Sequence, residues 1–273
     1  MARAVFFKQS GERLAATGGD DNDRDIYHPS GVRTVGEKLA QVHKLQKELD
    51  LSGITVVSGA GNIIRGDRLR EKRIAMQAAD VLGRLATIQN TIVIAEQLEL
   101  RGVPHQIFIT NRMKVQDQSL RAARYDAADV CQTHAEGKIA LIGGGTGEDN
   151  VTTDNAVVWY AQDYRNIHDG NVTILKGTQV DGVFEDDPSK RSDARRYKII
   201  GAPYMLANYE RYGVVDKASL QQLIDSNLSM VVYADGGHDL ETVLRHDPER
   251  GNGTSIGTVI MPTDVKPVYY EAA

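Results

Sequence analysis

The sequence predicts an α/β fold, specifically a three-layer αβα sandwich with a mostly parallel central sheet. Three observations carry the prediction. Short apolar runs alternate along the chain with longer segments of helical periodicity. The runs are apolar at successive positions, which is typical of strands buried on both faces. The chain of 273 residues is long enough to bury a large core, and strands joined in this way by helices form parallel sheets covered on both sides.

Six apolar runs are predicted as strands, at residues 4–8, 54–58, 105–110, 138–142, 172–176 and 229–234. Four segments with apolar residues at three- and four-residue spacing are predicted as helices, at 35–49, 75–102, 154–165 and 217–227. Two polar segments, 16–31 and 186–196, are predicted as loops, either covers of an active site or ordinary surface loops. Because no repeat or low-complexity linker interrupts the chain, we expect a single domain over residues 1–273.

Composition excludes several classes of function. The net charge of −5 gives no global reason to bind nucleic acid, and no run approaches the length of a membrane span. A single cysteine, Cys131, excludes an intrachain disulfide and a cysteine-based zinc cluster, which fits a cytoplasmic protein. The seven histidines are scattered without ligand spacing, so no metal site built from protein side chains is expected.

Four predicted strands end in glycine-containing turns. These are KQSGE (8–12), SGAGNIIRG (58–66), GGGTGEDNVTTD (143–154) and KGTQVDGVFEDDP (176–188). Ligands of open parallel sheets collect at the carboxyl ends of the strands, and glycine lets backbone amides approach a ligand closely. The same turns supply Lys8, Arg65 and Lys176. Amides together with cations suit phosphate, while the absence of a Walker motif and of G-x-G-x-x-G after the first strand disfavours the P-loop and dinucleotide classes.

Phosphoryl transfer requires positive charge around the transferred group, so Lys8 and Lys176 are candidates for phosphate neutralisation. Asp154 stands where a helix is predicted to begin. It is either a carboxylate at the N-cap or in the first turn of that helix, or a group that orients a lysine or a metal ion. Asp181 and Asp216 carry the same ambiguity, with solvation at the surface as the alternative for each.

Seven collinear blocks resemble the bacterial uridylate (UMP) kinases of the amino acid kinase superfamily: KQSGE, SGAGNIIRG, AADVLGRLATIQN, GGGTGEDNVTTDNA, KGTQVDGVFEDDP, VVD and IGTVI. The similarity runs from about residue 3 to about residue 260. The resemblance implies an amino acid kinase-like fold and transfer of the γ-phosphoryl group of ATP to UMP in pyrimidine nucleotide biosynthesis. It also implies Mg²⁺ as a cofactor, a cytoplasmic hexamer, an acceptor-binding side in about 1–165 and an ATP-binding side in about 166–262.

The resemblance further implies roles for individual residues, by position in this sequence. The implied catalytic residues are Lys8, Arg65, Asp154 and Lys176. The implied ATP-binding residues are Lys8, Gln9, Ser10, Gly11, Gly61, Arg65, Thr178, Phe184 and Asp187. The implied acceptor-binding residues are Gly59, Ala60, Asp80, Thr146, Gly147, Glu148, Thr152 and Thr153.

The acceptor loop departs from the family pattern. The family typically reads G-T-G-N-P-F-F-T-T-D, and here Glu148, Asp149, Asn150 and Val151 replace N-P-F-F. An ionised Glu148 accepts hydrogen bonds and donates none, so it suits an amino-bearing base better than a uracil carbonyl, unless it faces solvent and backbone groups read the base. Ala60 also replaces the middle glycine of its turn. Two alternatives therefore stay open: a superfamily member with another small acceptor, and a non-catalytic nucleotide- or oxyanion-binding storage assembly.

Overall fold

The structure is a computed structural model that describes residues 2–15, 25–64, 69, 72–111, 113, 118–236, 240–245 and 256–270. Within these ranges the strands are β1 (Arg3–Gln9), β2 (Leu51–Ser58), β3 (His105–Ile109), β4 (Ala122–Arg124), β5 (Ile139–Gly143), β6 (Asn171–Thr178), β7 (Tyr197–Gly201), β8 (Met230–Ala234), β9 (Thr258–Met261) and β10 (Val268–Tyr269). The α-helices are α1 (Pro29–Lys44), α2 (Met76–Glu99), α3 (Ala127–Ala135), α4 (Thr153–Ile167), α5 (Ala202–Ala207), α6 (Lys217–Ser226) and α7 (Leu240–Arg245).

All ten strands join one sheet in the order β10-β7-β9-β8-β6-β1-β2-β5-β3-β4. The pairings from β8 through β6, β1, β2, β5 and β3 to β4 are parallel, whereas β8 with β9 and β7 with β10 are antiparallel. β1 lies at the centre, between β2 and β6. The fold is therefore the predicted α/β sandwich with a mostly parallel sheet.

Side chains alternate along the central strands between two apolar layers. In β1, Ala4 and Phe6 pack with one cluster, and Val5 and Phe7 pack with the other. The first cluster contains buried residues of α3, α4, α5 and α6, and the second contains buried residues of α1, α2 and α7. Helices thus cover both faces, as expected for a sheet whose strands are apolar on both sides.

The six predicted strands and four predicted helices are all present, and most ends differ by at most three residues. The exception is the helix predicted at 35–49, since α1 runs over Pro29–Lys44. Residues 16–24 of the loop predicted at 16–31 lie outside the described residues. The end of this prediction is wrong, because α1 begins at Pro29, where proline's fixed φ suits the first helical position. The side chain of His28 caps this helix by accepting from the backbone N–H of Ser30 at 3.3 Å. The strands that sequence patterns missed, β4, β7, β9 and β10, are short ones in the outer parts of the sheet.

In the part of the chain that the structure describes, no helix combines the length and the apolar character that a membrane span requires.

Candidate functional site

Two lysines from adjacent strands and one aspartate form the centre of the site. Lys8 and Lys176 are direct neighbours in the parallel pairing of β1 with β6. Asp154, in the first turn of α4, lies between them: its Oδ1 is 3.5 Å from Lys8 Nζ, and its Oδ2 accepts a hydrogen bond from Lys176. All three side chains are largely buried, with 18%, 13% and 7% of Lys8, Asp154 and Lys176 exposed. The β1 and β6 exits therefore meet, as predicted.

The pKa values in this cluster follow from burial and pairing. Burial by itself would raise the pKa of Asp154, but the charges of Lys8 and Lys176 outweigh it and lower this pKa below its ordinary value. Burial lowers the pKa of Lys176, and Asp154 opposes this change. Asp154 consequently remains ionised at neutral pH, and it holds two cations that would otherwise repel each other.

The turn after β2 is fixed against the turn after β1. The backbone N–H of Gly59 donates to the Gln9 carbonyl at 2.8 Å. The buried Asn90 of α2 donates to the Gly59 carbonyl at 2.6 Å and to Asn62 Oδ1 at 2.7 Å. A Cβ on Gly11 would lie 2.4 Å from Asn62 Oδ1 and 2.8 Å from the Gly59 carbonyl, so this position requires glycine. The two turns thus form one rigid surface.

The start of α4 completes that surface. Thr152 is the N-cap, and its hydroxyl accepts from the backbone N–H of Asn155 at 3.0 Å and donates to Asp216 Oδ2 at 2.7 Å. Asp216 in turn caps α6 by accepting from the backbone N–H of Ser219 at 2.9 Å. Asp216 is therefore a cap that also orients Thr152, whereas Asp154 is not the cap of its helix. Amides at a helix N-terminus favour anions.

Three neighbouring cavities open around the lysine–aspartate cluster. The central cavity, of about 280 Å³, is lined by Lys8, Ser10, Gly11, Glu12, Gly59, Ala60, Gly61, Thr152, Thr153 and Asp154. The β6-side cavity, of about 330 Å³, is lined by Lys8, Ser10, Glu12, Arg13, Lys176, Gly177, Thr178, Gln179, Val180 and Val214. The loop-side cavity, of about 430 Å³, lies between α2 and the 145–153 segment, and its polar lining includes Asp80, Arg84, Thr87, Glu148, Asn150, Thr152 and Thr153.

Helix α2 holds the 145–153 segment from two positions one turn apart. Arg84 Nη1 donates to the carbonyls of Gly147 and Glu148 at 3.3 and 3.0 Å and to Asp149 Oδ1 at 2.9 Å. Asp80 Oδ2 accepts from the backbone N–H of Asn150 at 3.1 Å. Sequence reasoning included Asp80 and missed Arg84, although the spacing of four residues placed both on one side of the helix.

The remaining predicted site residues lie at different distances from the cavities. Gln9 is buried, and its side chain donates to the Ser10 carbonyl at 3.1 Å. Thr146 Oγ1 accepts from the Glu148 N–H at 3.3 Å. Phe184 is half-buried and forms a strand bridge with Arg196. Asp187 is exposed, and its Oδ1 accepts from Ser189. The predicted residue Arg65 lies outside the described residues.

Asp181 has a structural role instead of being a solvated surface group. Its Oδ1 accepts from the backbone N–H groups of Ala234 and Gly257, each at 3.1 Å, and its Oδ2 pairs with Arg196. The carboxylate thereby joins the ends of β8 and β9 to the turn after β6.

Fold and site together define a class of protein: an α/β sandwich whose sheet edge brings glycine turns, a helix N-terminus and a Lys–Asp–Lys cluster around connected cavities. Backbone amides and cations gathered at one sheet edge suit anionic groups such as phosphate. The profile of the amino acid kinase family matches residues 18–237. The chain belongs to the amino acid kinase family.

Individual relatives share much of the chain. A uridylate kinase of Rhodopseudomonas palustris (strain HaA2) is 35% identical over 233 residues, covering 85% of this chain and 88% of the relative. A uridylate kinase of Roseobacter denitrificans is 31% identical over 234 residues, covering 85% of this chain and 87% of the relative. The crystal structure of UMP kinase from Bacillus anthracis superimposes with a TM-score of 0.79 over 98% of this chain and 99% of that chain. At 24% identity, that structure bears on the fold alone.

Proposed function

We propose that this chain is an ATP:UMP phosphotransferase. The observation that carries the proposal is the Lys8–Asp154–Lys176 cluster, whose side chains line both the central cavity and the β6-side cavity. The uridylate kinases among its relatives favour a nucleoside monophosphate as the acceptor. In this proposal ATP occupies the β6-side cavity, UMP occupies the loop-side cavity, and the transferred group lies in the central cavity.

The transfer forms one bond and breaks one. A phosphate oxygen of UMP attacks the γ-phosphorus of ATP, the bond from that phosphorus to the β-phosphate oxygen breaks, and ADP leaves. The attacking oxygen is already ionised at neutral pH, so the step needs no general base. Asp154, whose pKa is lowered by its two lysines despite burial, suits the positioning of Lys8 and Lys176. The two ammonium groups and the backbone amides of Ala60 and Gly61 then offset the charge that spreads over the transferred group.

The other predicted residues are assigned within the same arrangement. On the ATP side we assign Gln9, Ser10, Gly11, Gly61 and Arg65 to the triphosphate, and Thr178, Phe184 and Asp187 to the nucleoside end. On the acceptor side we assign Asp80 to the ribose, and Gly59, Ala60, Thr146, Gly147, Glu148, Thr152 and Thr153 to the rest of UMP. The division into an acceptor side at about 1–165 and an ATP side at about 166–262 of one domain belongs to the proposal.

Magnesium fits this site as a companion of the phosphates. Mg²⁺ in phosphoryl-transfer sites takes one or two carboxylates together with phosphate oxygens and water. Glu12 and Asp154 both line the central cavity, and Asp154 Oδ1 is a buried oxygen with no hydrogen bond among the described residues, so these two carboxylates would hold the ion directly or through water. When bound, Mg²⁺ neutralises charge on the β- and γ-phosphates.

We further propose that the protein is a cytoplasmic homo-oligomer, a hexamer by resemblance. One face of α2 exposes apolar side chains: 42% of Val81, 36% of Leu82 and 43% of Leu85. Apolar surface of this kind at successive turns of one helix favours contact with a second subunit. Light scattering of the purified protein, with Leu85→Glu as the variant expected to dissociate, tests this part of the proposal.

Coupled detection of ADP release with UMP, CMP and other monophosphates tests the activity. We expect turnover with UMP and Mg²⁺. Release of ADP with none of the monophosphates, in a sample that still binds ATP, would reject a nucleoside monophosphate as the acceptor and leave the two alternatives, another small acceptor or the binding assembly.

A second acceptor is favoured by one observation: Glu148 lines the loop-side cavity where the family pattern has an amide side chain. If its carboxylate faces the base, CMP should compete well with UMP, because the amino group of cytosine donates to it. Glu148→Gln should then raise kcat/KM for UMP relative to CMP by about 10-fold, the discrimination that one hydrogen bond to a charged group provides. An unchanged ratio would mean that backbone groups read the base.

A further inference from the structure

Beside the β6-side cavity lies a cluster of charged residues that the proposed mechanism does not use. Arg13, in the short 3-10 turn after β1, places its Nε 3.5 Å from Asp235 Oδ2. Lys38 of α1 places its Nζ 2.7 Å from the other oxygen, Asp235 Oδ1. Asp235 follows β8, and its backbone N–H donates to the Thr178 carbonyl at 2.9 Å, so the carboxylate is fixed next to a predicted ATP-binding residue.

The three side chains are ordered from inside to outside. The exposed fractions are 10% for Asp235, 17% for Lys38 and 31% for Arg13. Burial by itself would lower the pKa of Lys38, but Tyr233 and Asp235 outweigh it and raise this pKa, so the lysine stays charged. Two cations therefore share one carboxylate, and the more exposed of them is Arg13.

Arg13 faces the cavity with only part of its bonding capacity committed. It lines the β6-side cavity together with Lys8, Lys176 and Thr178. A guanidinium has five N–H donors, more than a 3.5 Å contact with one carboxylate oxygen engages. A Cβ on Gly236 would lie 3.1 and 3.3 Å from its two terminal nitrogens, and the φ of Gly236 is +110°, so glycine at this position leaves room for the guanidinium.

The position of Arg13 identifies which part of a triphosphate it would meet. Lys8, Ser10 and Glu12 line both the central and the β6-side cavity. Among the described residues, Lys176, Arg13 and Thr178 line the β6-side cavity and are absent from the lining of the central one. Lys176 donates to Asp154 at the transfer site, whereas Arg13 pairs with Asp235, whose backbone N–H donates to the Thr178 carbonyl. Arg13 therefore lies on the Thr178 side of the cavity, which the proposal gives to the nucleoside end of the donor.

We propose that Arg13 binds the non-transferred phosphates of the nucleotide donor, and that Asp235, itself held by Lys38, is the positioning residue that orients it. This rests on the proposed function for the choice of cavity. Arginine suits the role because its planar fork of donors matches phosphate oxygens. Among the described residues that line this cavity, Glu12 is the one carboxylate, and it also lines the central cavity, where Lys8 and the amides of Ala60 and Gly61 lie.

Calorimetric titration of the full chain with MgATP and with MgADP tests the proposal without turnover. Arg13→Ala should weaken the binding of both nucleotides about 10-fold, the effect of losing a charge-assisted hydrogen bond. Arg13→Lys, which keeps the charge and loses the fork, should give an intermediate loss. The matched control is Arg33→Ala, since Arg33 is an exposed arginine of α1. The affinity of this variant for both nucleotides should stay within about twofold of the wild type.

Asp235→Asn tests positioning. Steady-state kinetics should show a higher KM for ATP, with the KM for UMP and kcat unchanged, because Asp235 pairs with Arg13 and Lys38 and, within the described part of the chain, with none of the residues assigned to UMP. Thermal melts establish whether each variant is folded. If Arg13→Ala does not fold, the nucleotide binding of Arg13→Lys decides the role of Arg13.

Two results would overturn the proposal. One is binding of both nucleotides by Arg13→Ala as tight as by Arg33→Ala. The other is weakened MgATP binding with unchanged MgADP binding, which would place Arg13 at the transferred phosphate. Failure of the proposed function is distinguishable, because wild-type protein that releases no ADP with UMP would reject UMP as the acceptor while the titrations still decide the role of Arg13.

Discussion

Lys8 Nζ lies 3.5 Å from Asp154 Oδ1, across the gap between the end of the central strand β1 and the start of α4. The same carboxylate accepts from Lys176, the neighbour of Lys8 in β6. A buried carboxylate shared by two ammonium groups fixes both cations before a ligand arrives. In phosphoryl transfer such preorganised charge stabilises the transition state more than mobile charge does, because it needs no reorganisation during the reaction.

Lys8→Ala should therefore lower kcat by about 100-fold or more while leaving the fold intact, since one preorganised cation at the transferred group is lost. Lys44→Ala, on the exposed surface of α1, is the control with the same change of charge. Steady-state kinetics with ATP and UMP, together with thermal melts of both variants, measure the effect. A kcat of Lys8→Ala close to that of Lys44→Ala would remove Lys8 from the catalytic machinery.

Asp154→Asn should change the pH dependence as well as the rate. Burial already lowers the pKa of Lys176, and the charge of Asp154 opposes that change. Without the carboxylate, this pKa falls further, so Lys176 loses its proton at a lower pH. The alkaline limb of the kcat profile should then move to lower pH relative to the wild type. A profile of kcat between pH 6 and 10 measures it, and an alkaline limb that stays in place would show that the charge of Lys176 does not limit the reaction.

The sequence was sufficient for the centre of the fold and for the centre of the site. Long apolar strands such as β1 and β6 can be recognised from their own residues. Because these strands are parallel, their carboxyl ends, with Lys8 and Lys176, lie at the same edge of the sheet. The outer strands are different. β10 has two residues and β4 has three, so they have no periodicity to detect, and they pair only because neighbouring strands present an edge.

Residues that act through long-range contacts were harder to find. Asn90 is buried within α2 and fixes the turn at Gly59, yet in the sequence it is one polar residue among the many apolar ones of a long predicted helix. Arg13 and Asp235 are 222 positions apart, and only the pairing of β6 with both β1 and β8 brings them together. Asp216 could be predicted as a cap from its position before α6, but its contact with Thr152 depends on the packing of α4 against α6.

Arg84→Ala should weaken acceptor binding more than catalysis. Arg84 donates to two carbonyls and one carboxylate of residues 147–149, so its loss frees the segment that lines the loop-side cavity. We expect the KM for UMP to rise about 10-fold, with a smaller change in the KM for ATP. Steady-state kinetics with each substrate varied in turn provides the measurement.

Asp149→Ala separates the ion pair of Arg84 from its contacts with the carbonyls. The Arg84–Asp149 pair joins a carboxylate that is 52% exposed, and exposed pairs contribute little. The single Asp149→Ala change should therefore have a small effect on the KM for UMP. Arg84→Ala should raise this KM by nearly the same factor in the Asp149→Ala protein as in the wild type. If the effect of Arg84→Ala disappears in the Asp149→Ala background, the ion pair, and not the carbonyl contacts, holds the loop.

His134 is a buried histidine remote from the cavities, on the helix α3. Only 4% of it is exposed, its Nε2 lies 3.0 Å from Thr55 Oγ1, and its ring packs against Tyr164 at a centroid distance of 5.1 Å. A Cβ on Gly53 would lie 2.1 Å from the ring, so β2 and α3 are in close contact here. Burial lowers the pKa of His134 from 6.5 to about 4.

This shift predicts how stability depends on pH. Between pH 6.5 and about 4 the unfolded chain binds a proton at His134 that the folded chain does not, so the free energy of unfolding falls as the pH falls through this range. The loss can reach about 3 kcal/mol.

Urea unfolding at several pH values measures the slope of the free energy of unfolding against pH, which should be smaller in His134→Gln and unchanged in the control His105→Gln. The lowered pKa of Asp154 places the loss of its own contribution below its ordinary value of 3.8, so the two groups titrate in different ranges. Equal slopes for the wild type and His134→Gln would mean that His134 takes up its proton in the folded state, with its ring accessible to water.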